Sequence, residues 1–214
     1  EENRKILTHD EIPDTMRIAT IAAEDDAFYS HYGIDPLSML RAFKNNVQKK
    51  ELSQGASTIT QQLARNAFLS RDKTFRRKLL EIVLAVKIER TYTKEQILDM
   101  YLNEVPYGSN AYGIEAAAEI FFSKKAKDMN LAEAALLAAL PKATSYYSPY
   151  GENMDELFYR QQKIIDRIGK LQLASAEDIA NAKKDDIAGK ITPAKTMIEA
   201  PHFVFYVKEE LEKK

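Results

Sequence analysis

Four helix-start signals recur along this chain and constrain its fold more than any other feature. Each places a hydroxyl or amide side chain three residues before Gln, Glu or Asp, which is the spacing of a helix N-cap and the third residue of the helix. Apolar residues at helical spacing follow, and only seven glycines and seven prolines interrupt 214 residues. The sequence therefore predicts a mainly α fold. The four signals are Thr58-x-x-Gln61, Thr93-x-x-Gln96, Asn130-x-x-Glu133 and Ser175-x-x-Asp178.

The same patterns set approximate helix limits. Residues 187–201 show little periodicity and are expected to form a connector, and Phe203–Val207 is expected to form a short strand or the start of a terminal helix. No run approaches the roughly 18–20 apolar residues that a membrane-spanning helix needs. The predicted helices cover about 13–28, a stretch from Asp35-Pro36 onward, 58–68, 74–90, a stretch from Thr93, 130–141, 155–171 and a stretch from Ser175.

Bulk composition excludes several functional classes. The 31 basic and 32 acidic residues leave a net charge of −1, so the whole chain carries no nucleic-acid signature. The absence of cysteine excludes disulfides and Cys-ligated metals, and three scattered histidines make a histidine-based metal site improbable. Any electrostatic function must therefore be local.

A local cationic segment lies between Gly55 and Glu81. It begins with small, hydroxyl and amide side chains (Gly55–Gln62) and continues into five cations within the eight positions 71–78. Such a cluster suits a multiply charged anion, although a basic cluster alone is most often a solvated face. Glu81 follows Lys78 by three residues and would share its helix face. The segment resembles what an enzyme that displaces a phosphate-type leaving group requires.

Three consecutive acids, Glu24–Asp26, end the first predicted helix. Carboxylates at a helix C-terminus oppose the helix dipole, which disfavours the charged form. A carboxylate of raised pKa is what a general base acting on a sugar hydroxyl needs. Taken alone, however, a solvated acidic helix end is the commoner interpretation. His31 is interpreted as a residue that holds a turn through backbone hydrogen bonds.

Other segments leave two interpretations open. Ser57 and the residues after it suit helix capping or ligand binding better than nucleophilic catalysis, because no paired base lies nearby in sequence. The amide and phenol groups of Tyr101–Glu115 suit either a sugar-binding cleft or a helix end followed by a glycine turn. The helix that starts at Asp35-Pro36 suits either a membrane interface or an ordinary core-facing position.

Taken in order, these segments resemble the peptidoglycan glycosyltransferase domain of class A penicillin-binding proteins and monofunctional transglycosylases, glycosyltransferase family 51. The resemblance runs from about Ile12 to Leu211. Each motif alone could arise by chance, whereas five in order are specific. The motifs are Glu24–Gly33, Gly55-x-Ser57-Thr58-Ile59-Thr60-Gln61-Gln62, Arg77–Glu81, Ile97–Gly108 and Ala135–Pro149.

The resemblance implies a lysozyme-like helical lobe with a smaller membrane-facing lobe. Residues 1–200 would form the glycosyltransferase domain, with the smaller lobe at about 34–56, and residues 201–214 would begin a linker toward a further domain. The implied partners are lipid II, the growing glycan strand, the membrane surface and a transpeptidase domain, with no nucleic acid. The implied location is the extracytoplasmic face of the bacterial cytoplasmic membrane.

The resemblance also implies a role for each matching residue. Glu24 would deprotonate the acceptor sugar 4-hydroxyl, which attacks a sugar held on undecaprenyl pyrophosphate with inversion. Glu81 would assist departure of the pyrophosphate together with Lys78, with a divalent cation such as Mg²⁺ at Glu81 as one way of doing so; no organic cofactor is implied. The remaining substrate-binding residues would be Asp25, Ser57, Gln61, Gln62, Arg65, Lys73, Arg77 and Asn103.

Three positions depart from the pattern of the family. Arg65 stands where lysine is usual and Lys73 where arginine is usual, so bidentate phosphate geometry moves from one position to the other. Thr144 replaces a frequent proline, which affects loop stiffness. Two alternative functions stay open: a muramidase or lytic transglycosylase that cleaves peptidoglycan, and a non-catalytic cell-wall scaffold. The cations of segment 71–78 favour synthesis, because cleavage of a neutral sugar chain does not need them.

Overall fold

The computed structural model describes residues 3–37, 40, 57–69 and 74–194. These residues form a mainly α protein, so the predicted fold class is confirmed. Most of the predicted smaller lobe and the terminal segment 203–207 lie outside the described residues. The helices of the described part are α1 (Asp14–Glu24), α2 (Ile59–Phe68), α3 (Phe75–Thr91), α4 (Lys94–Glu104), α5 (Ile114–Phe122), α6 (Leu131–Ala139), α7 (Met154–Lys170) and α8 (Ala176–Lys184).

The predicted helix starts are confirmed by their hydrogen bonds. At α2, α4 and α6 the N-cap side chain accepts from the backbone N–H of the third residue, and that residue's side chain accepts from the N-cap N–H. At α8 the Ser175 hydroxyl accepts from the backbone N–H of Asp178. Each bond satisfies a backbone donor that the helix itself leaves unpaired. Local chemistry therefore fixes where these helices begin.

The core is centred on α6, whose nine residues are all buried. Five of them are alanine, which lets α1 and α7 pack closely on two sides of this helix. A helix that is apolar all round belongs in the interior. Its one acid, Glu133, is fully buried and accepts from the Lys124 ammonium at 2.6 Å. A second group of packed helices consists of α2 against α3 and α4.

Helix α1 ends at Glu24, four residues before the predicted limit of Phe28. The backbone of Asp25 leaves helical geometry, with φ −160° and ψ 78°, and a short 3₁₀ turn follows over Phe28–Ser30. The Asp25 carboxylate is engaged by groups distant in sequence, so tertiary contacts end the helix where apolar periodicity alone would continue it. Glu24 thereby becomes the last residue of α1.

The structure contains two features that the sequence did not predict. The sequence predicted no helix over residues 114–122, which form α5, and no sheet, whereas three short strands join in the order β1-β3-β2. Strands β1 (Asn3–Arg4) and β3 (Ala111–Tyr112) run parallel, whereas β2 (Pro106–Gly108) pairs with β3 antiparallel. No helix among the described residues is long and apolar enough to cross a bilayer.

Candidate active site

Glu24 is held by two side chains from distant helices. Its Oε2 accepts from Gln62 Nε2 of α2 at 2.8 Å, and its Oε1 pairs with Arg160 Nη2 of α7 at 3.2 Å. The Glu24 side chain is 11% exposed, so it lies in the protein but can still be reached from solvent. A carboxylate that is oriented on both oxygens and partly accessible can accept a proton from a bound substrate.

The environment of Glu24 shifts its acidity in the direction that the sequence predicted. Burial raises the pKa of the Glu24 carboxyl, and the Gln62 hydrogen bond and the positive charges of Arg160, Lys142 and Arg65 oppose that rise. Burial and the adjacent Arg160 charge in turn lower the pKa of Lys142. Burial that raises the pKa, opposed by hydrogen bonds and positive charges that lower it, is typical of functional carboxylates.

A hydrogen-bond chain fixes the orientation of Gln62. The buried Tyr101 hydroxyl donates to Gln62 Oε1 at 3.2 Å, which directs the Gln62 NH₂ group toward Glu24. Tyr107 is also buried nearby, and burial, followed by the Glu24 charge, raises the pKa of both phenols well above its ordinary value. Both phenols therefore stay protonated, and Tyr101 acts as a donor in this chain.

Asp25 has a different position from Glu24 despite being its neighbour. Its carboxylate accepts from His31 Nε2 at 3.0 Å and from the backbone N–H of Ile59, the first residue of α2, at 3.0 Å. His31 Nδ1 accepts from the Gly33 N–H at 3.2 Å, so Nε2 carries the proton that Asp25 accepts. The turn-holding role of His31 agrees with the sequence interpretation. Asp25 ties the end of α1 to the start of α2, and its predicted substrate contact stays a prediction.

The second centre consists of Ser57, Lys78, Glu81 and Arg77. Lys78 Nζ donates to Ser57 Oγ at 2.7 Å and to Glu81 Oε2 at 2.9 Å. Glu81 is 1% exposed, and its Oε1 lies 3.4 Å from Arg77 Nε. The Lys78 side chain remains 37% exposed. The structure thus brings together four of the predicted site residues and leaves an accessible ammonium beside a buried carboxylate.

A divalent cation at Glu81 does not suit the side chains around it. The two Glu81 oxygens face the cations of Lys78 and Arg77, and the described residues contain no group of three or more His, Asp or Glu side chains placed to hold a metal. Mg²⁺ prefers carboxylate and other oxygen ligands. The divalent cation stays a prediction from the resemblance, and no catalytic step below depends on it.

Helix α2 connects the two centres. Ser57 lies just before its N-cap Thr58, and Gln62 projects from its first turns. The Thr58 hydroxyl accepts from the Gln61 N–H at 3.1 Å and donates to the Gly33 carbonyl at 2.7 Å. Gln62 on α2 contacts Glu24, and Ser57, just before α2, contacts Lys78. The position of α2 therefore affects both centres.

The four other predicted site residues differ in their surroundings. Gln61 is fully buried and closes the capping box, and Arg65 is half-buried on α2 within electrostatic range of Glu24. The Asn103 side chain is engaged by backbone: it accepts from the Leu7 N–H at 2.8 Å and donates to the Leu7 carbonyl at 3.0 Å. Asn103 is therefore seen holding the N-terminal segment. Lys73 lies outside the described residues.

Two cations near Glu24 were missed at the sequence level. Arg160 lies three residues after Leu157 and four before Ile164, both of which are buried on α7, so a cation in step with an apolar stripe was its only signal. Lys142 follows the Leu140-Pro141 motif directly and carried no signal of its own. Neither position could be linked to Glu24 without the fold, since Arg160 is 136 residues away.

A family model and similar known proteins point to the same family. The family model described as Transglycosylase matches residues 1–169. The chain is 48% identical over 149 residues to penicillin-binding protein 1A of Aquifex aeolicus, covering 70% of this chain and 20% of that protein. It is 40% identical over 206 residues to penicillin-binding protein 1F of Bacillus subtilis, covering 96% and 28%.

A third relative is penicillin-binding protein 1A of Escherichia coli, which is 38% identical over 211 residues. That alignment covers 99% of this chain and 25% of the relative. The chain therefore spans between 20% and 28% of the length of these three curated relatives.

Proposed function

Because this chain belongs to the transglycosylase family of class A penicillin-binding proteins, we propose that it is a peptidoglycan glycosyltransferase that polymerises lipid II into glycan strands. The reaction transfers a sugar with inversion and releases undecaprenyl pyrophosphate. The observation that carries this proposal is the pair of centres joined by the segment 57–62, in which an oriented carboxylate is accompanied by an accessible, cationic group suited to a phosphate.

Glu24 is proposed as the general base. The 4-hydroxyl oxygen of the acceptor sugar attacks the anomeric carbon of the donor as Glu24 takes the hydroxyl proton. The bond between that carbon and the pyrophosphate oxygen breaks on the opposite face, and both bonding electrons leave with the pyrophosphate. The Gln62 and Arg160 contacts keep the carboxylate in one orientation for this transfer. A positioned base of this kind contributes roughly a hundredfold or more.

Lys78 is proposed to stabilise the departing pyrophosphate. Its ammonium is held by Ser57 and Glu81, and the side chain is still 37% exposed, so it can meet a phosphate oxygen without a large rearrangement. Glu81 pairs with it from the buried side and is itself paired with Arg77. A preorganised cation stabilises the charge that develops as the bond breaks. Lys73 and Arg65 are proposed as further phosphate-binding groups from the resemblance.

The cationic centre also argues against the cleavage alternative. Hydrolysis of a neutral sugar chain requires carboxylates at the scissile bond and gives no charged leaving group. A buried carboxylate paired with Lys78 and Arg77 has no role in such a reaction, whereas transfer from a pyrophosphate donor needs cations at this point. We therefore place synthesis ahead of cleavage.

The membrane surface and a larger protein context complete the proposal. Lipid II presents its sugar at a membrane, so the enzyme would work at the extracytoplasmic face of the cytoplasmic membrane. Large apolar side chains of α3 are exposed, including Phe75 at 88% and Val83 at 58%, and they offer a surface for lipid. In the longer relatives further segments exist beyond the matched region, and a transpeptidase domain is proposed among them.

Incubation with lipid II and separation of the products by gel and mass spectrometry tests the function. Glycan strands of increasing length, together with released pyrophosphate lipid, are expected. Free disaccharide fragments formed from intact peptidoglycan would favour a cleavage enzyme, and absence of either reaction would favour the scaffold. Glu24→Gln should abolish strand formation while circular dichroism shows the helical content unchanged, and near-normal polymerisation by that variant would exclude Glu24 as the base.

A further inference from the structure

Arg160 joins three helices at the Glu24 carboxylate. Its Nη2 lies 3.2 Å from Glu24 Oε1 at the end of α1, and its Nε donates to the carbonyl of Ala139, the last residue of α6, at 3.1 Å. The guanidinium also lies over the Tyr147 ring at 5.6 Å from the ring centroid. Its side chain is 18% exposed. The guanidinium is therefore fixed on three sides.

The position of Arg160 has an electrostatic cause. Glu24 ends α1 and Ala139 ends α6, so the negative ends of two helix dipoles meet at this point. A carboxylate placed there is disfavoured by its burial and by the C-terminal dipole of its own helix. A guanidinium that pairs with the carboxylate and binds the second C-terminus offsets both effects.

Several elements packed near Glu24 contribute a polar or charged side chain that interacts with its carboxylate. Helix α2 supplies Gln62 and Arg65, α7 supplies Arg160, and the turn after α6 supplies Lys142. Tyr101 from α4 and Tyr107 from β2 are neutral phenols that interact with the carboxylate. Arg160 Nη2 lies at hydrogen-bond distance from Glu24 Oε1. Its charge opposes the rise in the Glu24 pKa more than the charges of Lys142 and Arg65 do.

We propose that Arg160 is a positioning residue that keeps Glu24 ionised and oriented for proton abstraction. This inference rests on the proposed function, because Glu24 is the base of that reaction. Arg160 acts through Glu24 and is not assigned contact with the reacting atoms. It follows that loss of the guanidinium should change the pH at which the enzyme becomes active, beyond lowering the amount of folded protein.

The test compares the pH dependence of lipid II polymerisation in wild type, Arg160→Gln and Arg160→Lys. For Arg160→Gln the acid limb of the kcat profile should move to higher pH by roughly one unit, and kcat near neutral pH should fall by about tenfold or more. KM for lipid II should change much less than kcat. Arg160→Lys keeps a positive charge without the forked geometry and should restore part of both effects.

Arg167→Gln is the matched control. Arg167 lies on the same helix and pairs with Asp26, two residues from Glu24, rather than with Glu24 itself. Its acid limb should coincide with that of wild type. Thermal melting of each variant identifies loss of folded protein, which would lower activity equally at every pH.

An Arg160→Gln profile with its acid limb at the wild-type pH would overturn the inference, whatever its amplitude. A result in which wild type forms no glycan strands would overturn the proposed function instead. Titration of Glu24 by carboxyl-specific NMR in wild type and in Arg160→Gln then still tests the pairing: a raised Glu24 pKa in Arg160→Gln supports it, and an unchanged one refutes it.

Discussion

Glu24 shows how one residue can be favourable for chemistry and unfavourable for stability. The carboxylate is buried at a helix C-terminus, where both burial and the dipole oppose its charge. Arg160 and Gln62 reduce that opposition, but the pKa of Glu24 remains raised. A base of raised pKa accepts a proton more readily. The same feature must lower the stability of the native state when Glu24 is ionised.

We expect Glu24→Gln to stabilise the fold at neutral pH, by on the order of 1 kcal/mol. As pH rises above the ordinary value of 4.5, the unfolded chain loses the Glu24 proton first, so wild-type stability falls until native Glu24 also ionises. The glutamine variant does not titrate and escapes that loss. Urea unfolding at several pH values measures the difference, which should grow from acid to neutral pH. A constant difference would contradict the raised pKa.

Lys78 offers a second test at this scale. Lys78→Met should lower kcat/KM for lipid II by roughly a hundredfold, because it removes the cation proposed to meet the leaving group. It should also lower the melting temperature, since Glu81 is buried and, among the described residues, keeps Arg77 as its ion-pair partner. The double variant Lys78→Met with Glu81→Gln removes that uncompensated charge.

The double variant separates the two effects of the lysine. It should recover much of the melting temperature and none of the turnover, whereas recovery of turnover would remove Lys78 from the site. Lys87→Met, an exposed position on the same helix, should match wild type in both measurements.

At the scale of elements, α2 links the two centres and its capping box fixes its start. Thr58 is 3% exposed and bonds both the Gln61 N–H and the Gly33 carbonyl, so it also holds the turn that contains His31. The chain offers a second capping box of the same composition at α4, where Thr93 is exposed and Gln96 is the partner. The two boxes therefore differ in surroundings but not in local chemistry.

We expect Thr58→Val to cost about 2 kcal/mol and Thr93→Val about 1 kcal/mol of unfolding free energy, the larger loss reflecting the extra buried bond. Only Thr58→Val should lower polymerisation under conditions in which both variants are fully folded, because it displaces Ser57 and Gln62. Unfolding curves and initial rates measure both. Equal loss of activity in the two variants would show that α2 does not set the geometry of the site.

The sequence predicted elements whose signals are local. Helices α2, α4, α6 and α8 begin at the predicted residues because each cap is formed by side chains three residues apart. Helix α5 was missed for the corresponding reason: its N-cap is Gly113, which has φ +79° and no side chain that could cap the helix. Any Cβ at that position would lie 2.6 Å from the Asn103 carbonyl, a tertiary constraint. Two-residue strands such as β1 are too short to show the alternation of apolar and polar residues that predicts a strand.

The candidate site likewise has parts that local sequence patterns predicted and parts that they did not. Glu24, Lys78 and Glu81 were identified because their residue types stood in recognisable motifs. The contacts of Glu24 with Gln62 and Arg160 span 38 and 136 residues, and no local pattern encodes them. Asp25 stands at a motif position beside Glu24, and the fold adds contacts that the motif did not show, with His31 and with the start of α2. The sequence therefore predicted which residues belong to the site, whereas their contacts with one another could be seen only in the fold.

At the scale of the whole molecule, the helices place an apolar surface on the outside of α3. Phe75, Leu79 and Val83 are 88%, 55% and 58% exposed and follow one another at four-residue spacing, so they share one face of the helix. All three lie in the predicted helix 74–90, and their exposure shows that this side of the helix does not face the core. Lys78 and Arg77 of the second centre belong to the same helix.

This apolar face should bind lipid if the enzyme works at a membrane. Replacing Phe75, Leu79 and Val83 together by serine should weaken sedimentation with anionic phospholipid vesicles by about tenfold or more, because exposed apolar area contributes to interfacial binding. Helical content and melting temperature should stay near wild type, since the three side chains are already exposed in the native state. A control that replaces the exposed Tyr92 and Tyr159 by serine should sediment like wild type. Two outcomes would contradict membrane contact through α3: unchanged sedimentation of the triple variant, or a loss of dimer in solution, which would assign the face to a second copy of the chain.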